Sequence, residues 1–156
     1  MALMDLFRED LIFFDIEVNS REELLTYIAQ ILETHNLVKN SFKEAIIARE
    51  ETFPTGLPTE SIKVAIPHTD IKHVLKSCIT ICRLKKPIDF LEMGNHSRTV
   101  PVEIVFVLAL DDEKNHLQAL QQLIGLFSER DRMENIRNAT NQDELLQSIL
   151  QGANVI

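Results

Sequence analysis

The period of the apolar residues changes several times along this chain, and each change marks a predicted element. From Leu11 to Val18, the residues Ile12, Phe14, Ile16 and Val18 fall at alternate positions, the spacing of a half-buried strand. Ser20 followed three residues later by Glu23 is a capping-box signature. Leu24, Leu25, Ile28, Ile31 and Leu32 then recur at helical spacing, which predicts a helix ending near Asn36. A second capping pair, Ser41 with Glu44, predicts another helix through Phe42, Ala45 and Ile46. It runs into Arg49-Glu50-Glu51 and stops before Pro54.

Between Thr52 and Ser61 two prolines and a glycine punctuate the chain, and a loop is expected rather than a regular element. Val64-Ala65-Ile66 reads as a short buried strand. Pro67 donates nothing to a ladder, so the strand is expected to halt there and hand His68 to a loop. In Ser77 to Leu84, Ile79 and Ile81 face one way and Cys78, Thr80 and Cys82 the other, a strand buried on both faces. Pro87 to Phe90 is a short extended piece and Met93 to Ser97 a surface loop. Val102 to Leu110 is the longest apolar run, rich in β-branched residues, and predicts a central strand.

Asp111 and Asp112 can cap the helix that follows, whose stripe is Leu117, Leu120, Leu123, Ile124 and Phe127, with His116 in its first turn. Two shorter helices close the chain, around Met133 to Arg137 and from Thr140 or Asn141 through Leu150. Interleaved helices and strands of this kind predict an α/β domain with helices on both faces of one sheet. Strand order is not contained in the periodicity.

Length and composition narrow the picture. The 156 residues fit one domain, folded from near residue 3 to near residue 150, with 45% hydrophobic and 26% charged residues. A net charge of −8 with scattered Lys and Arg argues against a nucleic-acid partner. No apolar run approaches the roughly 20 residues of a membrane span, and the first residues lack a secretory pattern, so a cytoplasmic location is expected. Cys78 and Cys82 would sit roughly 13 Å apart along a strand at about 3.3 Å per residue, too far for a disulfide. Buried thiols in a reducing compartment are the expectation.

Several chemistries lack their motif. The chain has no Gly-x-x-x-x-Gly-Lys-Ser/Thr, no Gly-x-Gly-x-x-Gly, no Gly-x-Ser-x-Gly and no His-Glu-x-x-His. His68, at the end of a strand with an imidazole that titrates near neutrality, suits proton transfer, metal ligation or nucleophilic attack. A metal site assembled from His68 and His73 with His96 or His116 stays open at this level. Each candidate also has a plain structural reading: His68 as a turn residue, His116 as a surface residue at a helix start, Arg49 as a solvated helix arginine. His35, His73 and His96 read as exposed polar residues. Taken together, two histidines at strand ends and Arg49 match what phosphoryl transfer through histidine needs. Such transfer takes a neutral ring nitrogen as nucleophile, with guanidinium and imidazole donors for the phosphoryl oxygens.

Over nearly the whole chain these motifs, Ala48-Arg49-Glu50, Val64-Ala65-Ile66-Pro67-His68, Val102 to Leu108 and Asn115-His116-Leu117-Gln118-Ala119-Leu120, stand in an order that resembles one family. It is the enzyme IIA components of the fructose–mannitol class in the bacterial phosphoenolpyruvate-dependent sugar phosphotransferase system. The resemblance implies that fold, a single mixed β-sheet flanked by helices on both faces, over one domain spanning residues 1–156. It implies that His68 accepts a phosphoryl group from phospho-HPr and passes it to a cysteine of a IIB component, which serves the membrane component IIC. It implies also that Arg49 and His116 flank the phosphohistidine, with no metal or organic cofactor. Phe53-Pro54-Thr55-Gly56-Leu57 and Thr69-Asp70 look like the galactitol-type branch, where many relatives carry glycine after the active histidine. The loop between Arg49 and His68 is a few residues longer than in mannitol-type relatives. A regulatory module of the nitrogen-related kind, signalling through phosphorylation-dependent protein binding, is the alternative; a metal-dependent hydrolase is a third.

Overall fold

The structure, a computed structural model, describes residues 3–153, with side chains described for residues 5–150. Five strands form one mixed sheet: β1 (Phe7–Ile16), β2 (Gly56–Leu57), β3 (Val64–Ala65), β4 (Cys78–Glu92) and β5 (Asn95–Ala109). β4 and β5 are a long antiparallel hairpin at the centre. β1 runs parallel to β4 on one side, and β3 runs parallel to β5 on the other. β2 pairs antiparallel with β3 and touches the far end of β4 through Gly56 and Glu92.

Five helices cover this sheet. Helix α1 (Arg21–Thr34) and α2 (Phe42–Thr52) bury Leu24, Leu25, Ile28, Leu32, Phe42 and Ile46 against one face, with Cys78, Cys82, Val105 and Val107. α3 (Glu113–Phe127), α4 (Arg130–Asn138) and α5 (Gln142–Ala153) bury Leu123, Phe127, Ile136, Leu145 and Ile149 against the other, with Ile79, Ile81, Ile104 and Phe106. The predicted two-faced alternation of Cys78 to Cys82 is therefore observed, and it follows from side chains pointing to opposite sides of a pleated strand at successive positions. Both cysteines are buried and unpaired; burial pushes the Cys78 thiol up to about 12 and raises Cys82 as well.

Several expectations are corrected. The first strand lies at Phe7–Ile16, not Leu11 to Val18. Asp15 takes a left-handed φ of 53°, which rotates the chain. Ile12 and Phe14 consequently pack on the α3–α5 side, whereas Ile16 and Val18 pack on the α1–α2 side. The second capping box does not form: Ser41 makes no side-chain cap bond, and its hydroxyl is instead hydrogen-bonded to His73 Nδ1 at 2.8 Å. The first one forms in part, with Ser20 Oγ accepting from Glu23 N and Glu23 Oε2 reaching Asn19 N, one residue before the expected donor.

The Thr52–Ser61 segment holds β2 within it. Gly56 is required there, because a Cβ would lie 2.6 Å from the Leu91 carbonyl oxygen. The pieces read as Ser77 to Leu84 and Pro87 to Phe90 are one strand, β4, with Pro87 inside an irregularity between Arg83 and Ile88 where the ladder slips and no donor is needed. The expected surface loop Met93 to Ser97 is a tight hairpin turn with Gly94 at φ 78°, so β5 begins at Asn95 rather than Val102.

Candidate functional site

His68 is placed by the edge of the sheet. Ile66 is fully buried beyond β3, and Pro67 follows with no N–H. The ladder nevertheless extends one step further than predicted: the Leu108 N–H donates to the Pro67 carbonyl at 3.0 Å and His68 bridges Leu108 in parallel register. The imidazole is then turned back on its own strand, Nδ1–H donating to the Ile66 carbonyl at 2.7 Å. A carbonyl can only accept, so this bond fixes the tautomer and leaves the lone pair on Nε2.

His116 arrives from the helix after β5. Asp112 caps that helix, its carboxylate accepting from Asn115 N at 3.0 Å, while Asp111 is held by Ser77, which donates to it at 2.7 Å. The first turn so fixed brings the His116 ring to 4.8 Å from that of His68, centroid to centroid, at 73° between planes. Arg49 comes from the last turn of α2. Its guanidinium lies 4.5 Å from the centre of the Phe53 ring, and its Nε, fully buried, has no hydrogen-bond partner among the described residues. The sequence-predicted trio Arg49, His68 and His116 thus lines one cleft of about 290 Å³, rimmed also by Asp70, Glu113 and Leu117.

Burial lowers the His68 pKa, more than the Ile66 bond raises it, and Arg49 lowers it further. Burial also takes His116 down to about 4, helped by His68 and Arg49 and opposed by Asp70. Both rings are therefore uncharged at neutral pH, and among the described residues the cation that lines the cleft with them is Arg49. An uncharged imidazole with Nε2 free is a nucleophile, and the orphaned Arg49 Nε–H together with the N-terminal end of α3 would favour an anion. A larger groove of about 660 Å³ opens beside Asp15, Glu17, Glu22 and Glu23, toward the other end of β1, and its acidic lining holds none of these groups.

The other histidines are not brought to this cleft. His73 Nδ1 is occupied by Ser41, His96 Nε2–H donates to the Thr52 carbonyl at 3.1 Å, and His35 Nδ1–H closes the end of α1 on the Ile31 carbonyl at 2.8 Å. Among the described residues no group of three or more His, Cys, Asp or Glu side chains could hold a metal ion. Nor is any helix of the described residues long and apolar enough to cross a membrane.

Sequence reasoning missed Glu50 and Thr55. Glu50 stands in the charged run Arg49-Glu50-Glu51 at the helix end, yet it is 2% exposed. Its carboxylate accepts from Thr55 N and Thr55 Oγ1, both at 2.8 Å, and Thr55 Oγ1 accepts from Ile66 N at 3.2 Å. The signal was present: Phe42, Ile46 and Glu50 are spaced by four and share the buried face of α2.

Residues 5–152 match the family described as Phosphoenolpyruvate-dependent sugar phosphotransferase system, EIIA 2. Over 116 residues the chain is 30% identical to the galactitol-specific EIIA component of that system in Escherichia coli K12, covering 74% of this chain and 77% of that protein. The fold is similar to that of a PTS IIA (PtxA) from Streptococcus mutans, with a TM-score of 0.79 at 22% identity over 99% of this chain and 96% of that one. It is also similar to a chain in the complex of enzyme IIAMTL with phosphorylated enzyme IIBMTL from Escherichia coli. There the TM-score is 0.74 at 22% identity, over 94% of this chain and 99% of that one.

Proposed function

The chain belongs to the EIIA 2 family of the phosphoenolpyruvate-dependent sugar phosphotransferase system, and on that premise we propose that His68 is its phosphoryl carrier, taking the group from phospho-HPr and passing it to a cysteine of a IIB component. The observation that carries this reading is the Nδ1–H bond from His68 to the Ile66 carbonyl, which leaves Nε2 as the nucleophile.

In the first half-reaction the Nε2 lone pair attacks phosphorus, a new N–P bond forms, and the donor's N–P bond breaks with its electron pair returning to the donor ring. His68 keeps its Nδ1 proton, so the product ring is a phosphorylated imidazolium. The Ile66 carbonyl holds that positive ring more strongly than the neutral one, because a charge-assisted hydrogen bond is roughly twice as strong as a neutral pair. Arg49 supplies a fixed cation for the equatorial oxygens, and the Nε–H that lacks a partner gains one. His116, uncharged, donates through a ring N–H without holding a competing positive charge that would trap the group. In the second half-reaction a IIB thiolate attacks the same phosphorus and the electron pair returns to Nε2. No metal or organic cofactor enters either step, since the incoming group is already activated.

The pairing with IIB is supported by the complex recorded for the similar IIAMTL, and the cargo class by the galactitol-specific relative. Within this reading residues 1–156 act as one type-2 EIIA domain on the cytoplasmic side, serving a membrane component IIC for sugar or polyol uptake, with galactitol as the candidate. Incubation with phosphoenolpyruvate, enzyme I and HPr is expected to label the protein once, at His68. Label that survives His68→Ala would overturn the assignment. Discharge of that label by a galactitol-type IIB distinguishes transport from a regulatory role, in which the phosphorylated protein would persist in its presence.

A further inference from the structure

We infer that Glu50, acting through Thr55, is a positioning residue that holds His68 in its Nδ1–H tautomer, an inference that rests on His68 being the phosphoryl carrier. The chain of contacts is continuous and directional. Both Glu50 oxygens accept, Oε2 from the Thr55 N–H and Oε1 from the Thr55 hydroxyl, each at 2.8 Å. A threonine hydroxyl has one hydrogen. With that hydrogen committed to Glu50, Thr55 Oγ1 must present a lone pair, and it takes the Ile66 N–H at 3.2 Å. The other polar group of the same residue, the Ile66 carbonyl, is the acceptor for His68 Nδ1–H at 2.7 Å. Ile66 is thus held at its amide by Thr55 and at its side chain by complete burial, and the carbonyl that orients His68 has nowhere to turn.

Thr55 is itself clamped from behind. The next residue, Gly56, pairs with Ala65, and its carbonyl accepts from Met93 N at 2.8 Å. The close approach of Gly56 to the Leu91 carbonyl leaves no room for the loop to slide. A loop anchor alone would not require an acid. A buried carboxylate is a costly group, and burial raises the pKa of Glu50 to about 7 despite the two Thr55 bonds and Arg21. What a carboxylate offers over an amide is that neither oxygen donates, so the direction of the Thr55 hydroxyl, and with it the acceptor offered to Ile66 N–H, is imposed. Once that direction is lost, the Ile66 carbonyl gains freedom and the His68 ring can place its proton on either nitrogen. Molecules with the proton on Nε2 have no lone pair there for the phosphoryl group.

The test reads the tautomer directly. Ring ¹⁵N NMR of His68 at pH 8, where Glu50 is ionised, is expected to show the Nδ1–H form in the wild type and in Thr55→Ser, which keeps the hydroxyl. Thr55→Val and Glu50→Gln are expected to show a mixture of tautomers. In the same pair the rate constant for transfer from phospho-HPr falls about fivefold, the order of one ordinary hydrogen bond, while KM is unchanged because neither residue meets the partner. Should Thr55→Val fail to fold, Glu50→Gln carries the same readouts. A Glu50→Gln protein that loses thermal stability yet keeps a single Nδ1–H tautomer and the wild-type transfer rate would overturn the inference and leave Glu50 a loop anchor. Because the tautomer is read on the unphosphorylated protein, it decides the relay separately from the labelling test of His68.

Discussion

Replacing Arg49 by lysine separates what this residue does for the fold from what it does for the phosphoryl group. In the resting protein its Nε is fully buried with no partner among the described residues, while its guanidinium carbon lies 4.5 Å from the centre of the Phe53 ring. An unmade hydrogen bond of this kind opposes folding by about 1–3 kcal/mol. Lysine has no equivalent N–H at that position, keeps the charge, and can still lie along the Phe53 ring. Arg49→Lys is therefore expected to leave the melting temperature unchanged or raise it, by about 2–4 °C for each kcal/mol relieved in a chain of this length. Transfer should change in the opposite sense. A charge-assisted hydrogen bond to a phosphoryl oxygen contributes about 1.5–3 kcal/mol, and losing one from the transition state slows the reaction about tenfold to 150-fold. The assay is rapid-quench transfer from ³²P-labelled phospho-HPr under single-turnover conditions, with calorimetric melting of the same preparation. Transfer within about twofold of wild type would refute the argument, and so would a melting temperature lowered by several degrees, which would make Arg49 a structural residue.

Thr80 is fully buried, and its Oγ1 has no partner among the described residues. Thr80→Val is expected to stabilise the protein by about 1 kcal/mol in urea unfolding, with transfer unaffected. Two groups give stability opposite dependences on pH. His116 has a folded pKa near 4, below its ordinary value, so the unfolded chain binds more protons there and stability falls as pH drops from about 6.5 to about 4. Glu50 has a folded value near 7, above its ordinary one, so the stability it lends is present below about 4.5 and lost as pH rises to about 7. Unfolding curves across this range should show His116→Asn removing the acid-side loss and Glu50→Gln removing the opposite slope; parallel curves for all three proteins would contradict both assignments. Gly56→Ala, whose Cβ would meet the Leu91 carbonyl oxygen at 2.6 Å and Phe90 Cβ at 3.2 Å, is expected to destabilise by about 1–3 kcal/mol and to slow transfer, measured by denaturation and by the same quench assay.

Much of this protein was determined by spacing within a few residues. The Ser20 cap, the Asp112 and Asn141 caps and the two faces of Cys78 to Cys82 all follow from interactions inside one turn or one pleat. These are local, so the residues that make them stand close together in the chain. The histidine at the strand end and the arginine at the helix end were legible for the same reason.

Other features depend on partners far apart in sequence. Ser41 looks like a cap but is turned to His73, 32 residues on, and Pro87 lies inside a strand because the ladder with β5 slips where it sits. A single left-handed residue, Asp15, moves Ile16 and Val18 to the opposite face of the sheet from Ile12 and Phe14, which a period-2 pattern alone places together. Within the site, the sequence supplies two histidines 48 positions apart, and only the parallel pairing of His68 with Leu108 carries α3 and His116 to 4.8 Å from it. The Ile66 carbonyl selects the ring nitrogen, and the burial of Glu50 turns an acid in a charged run into the support of that carbonyl. Charge state and tautomer depend on which groups exclude water and which carbonyl is in reach, and those are properties of packing that no stretch of the chain contains by itself.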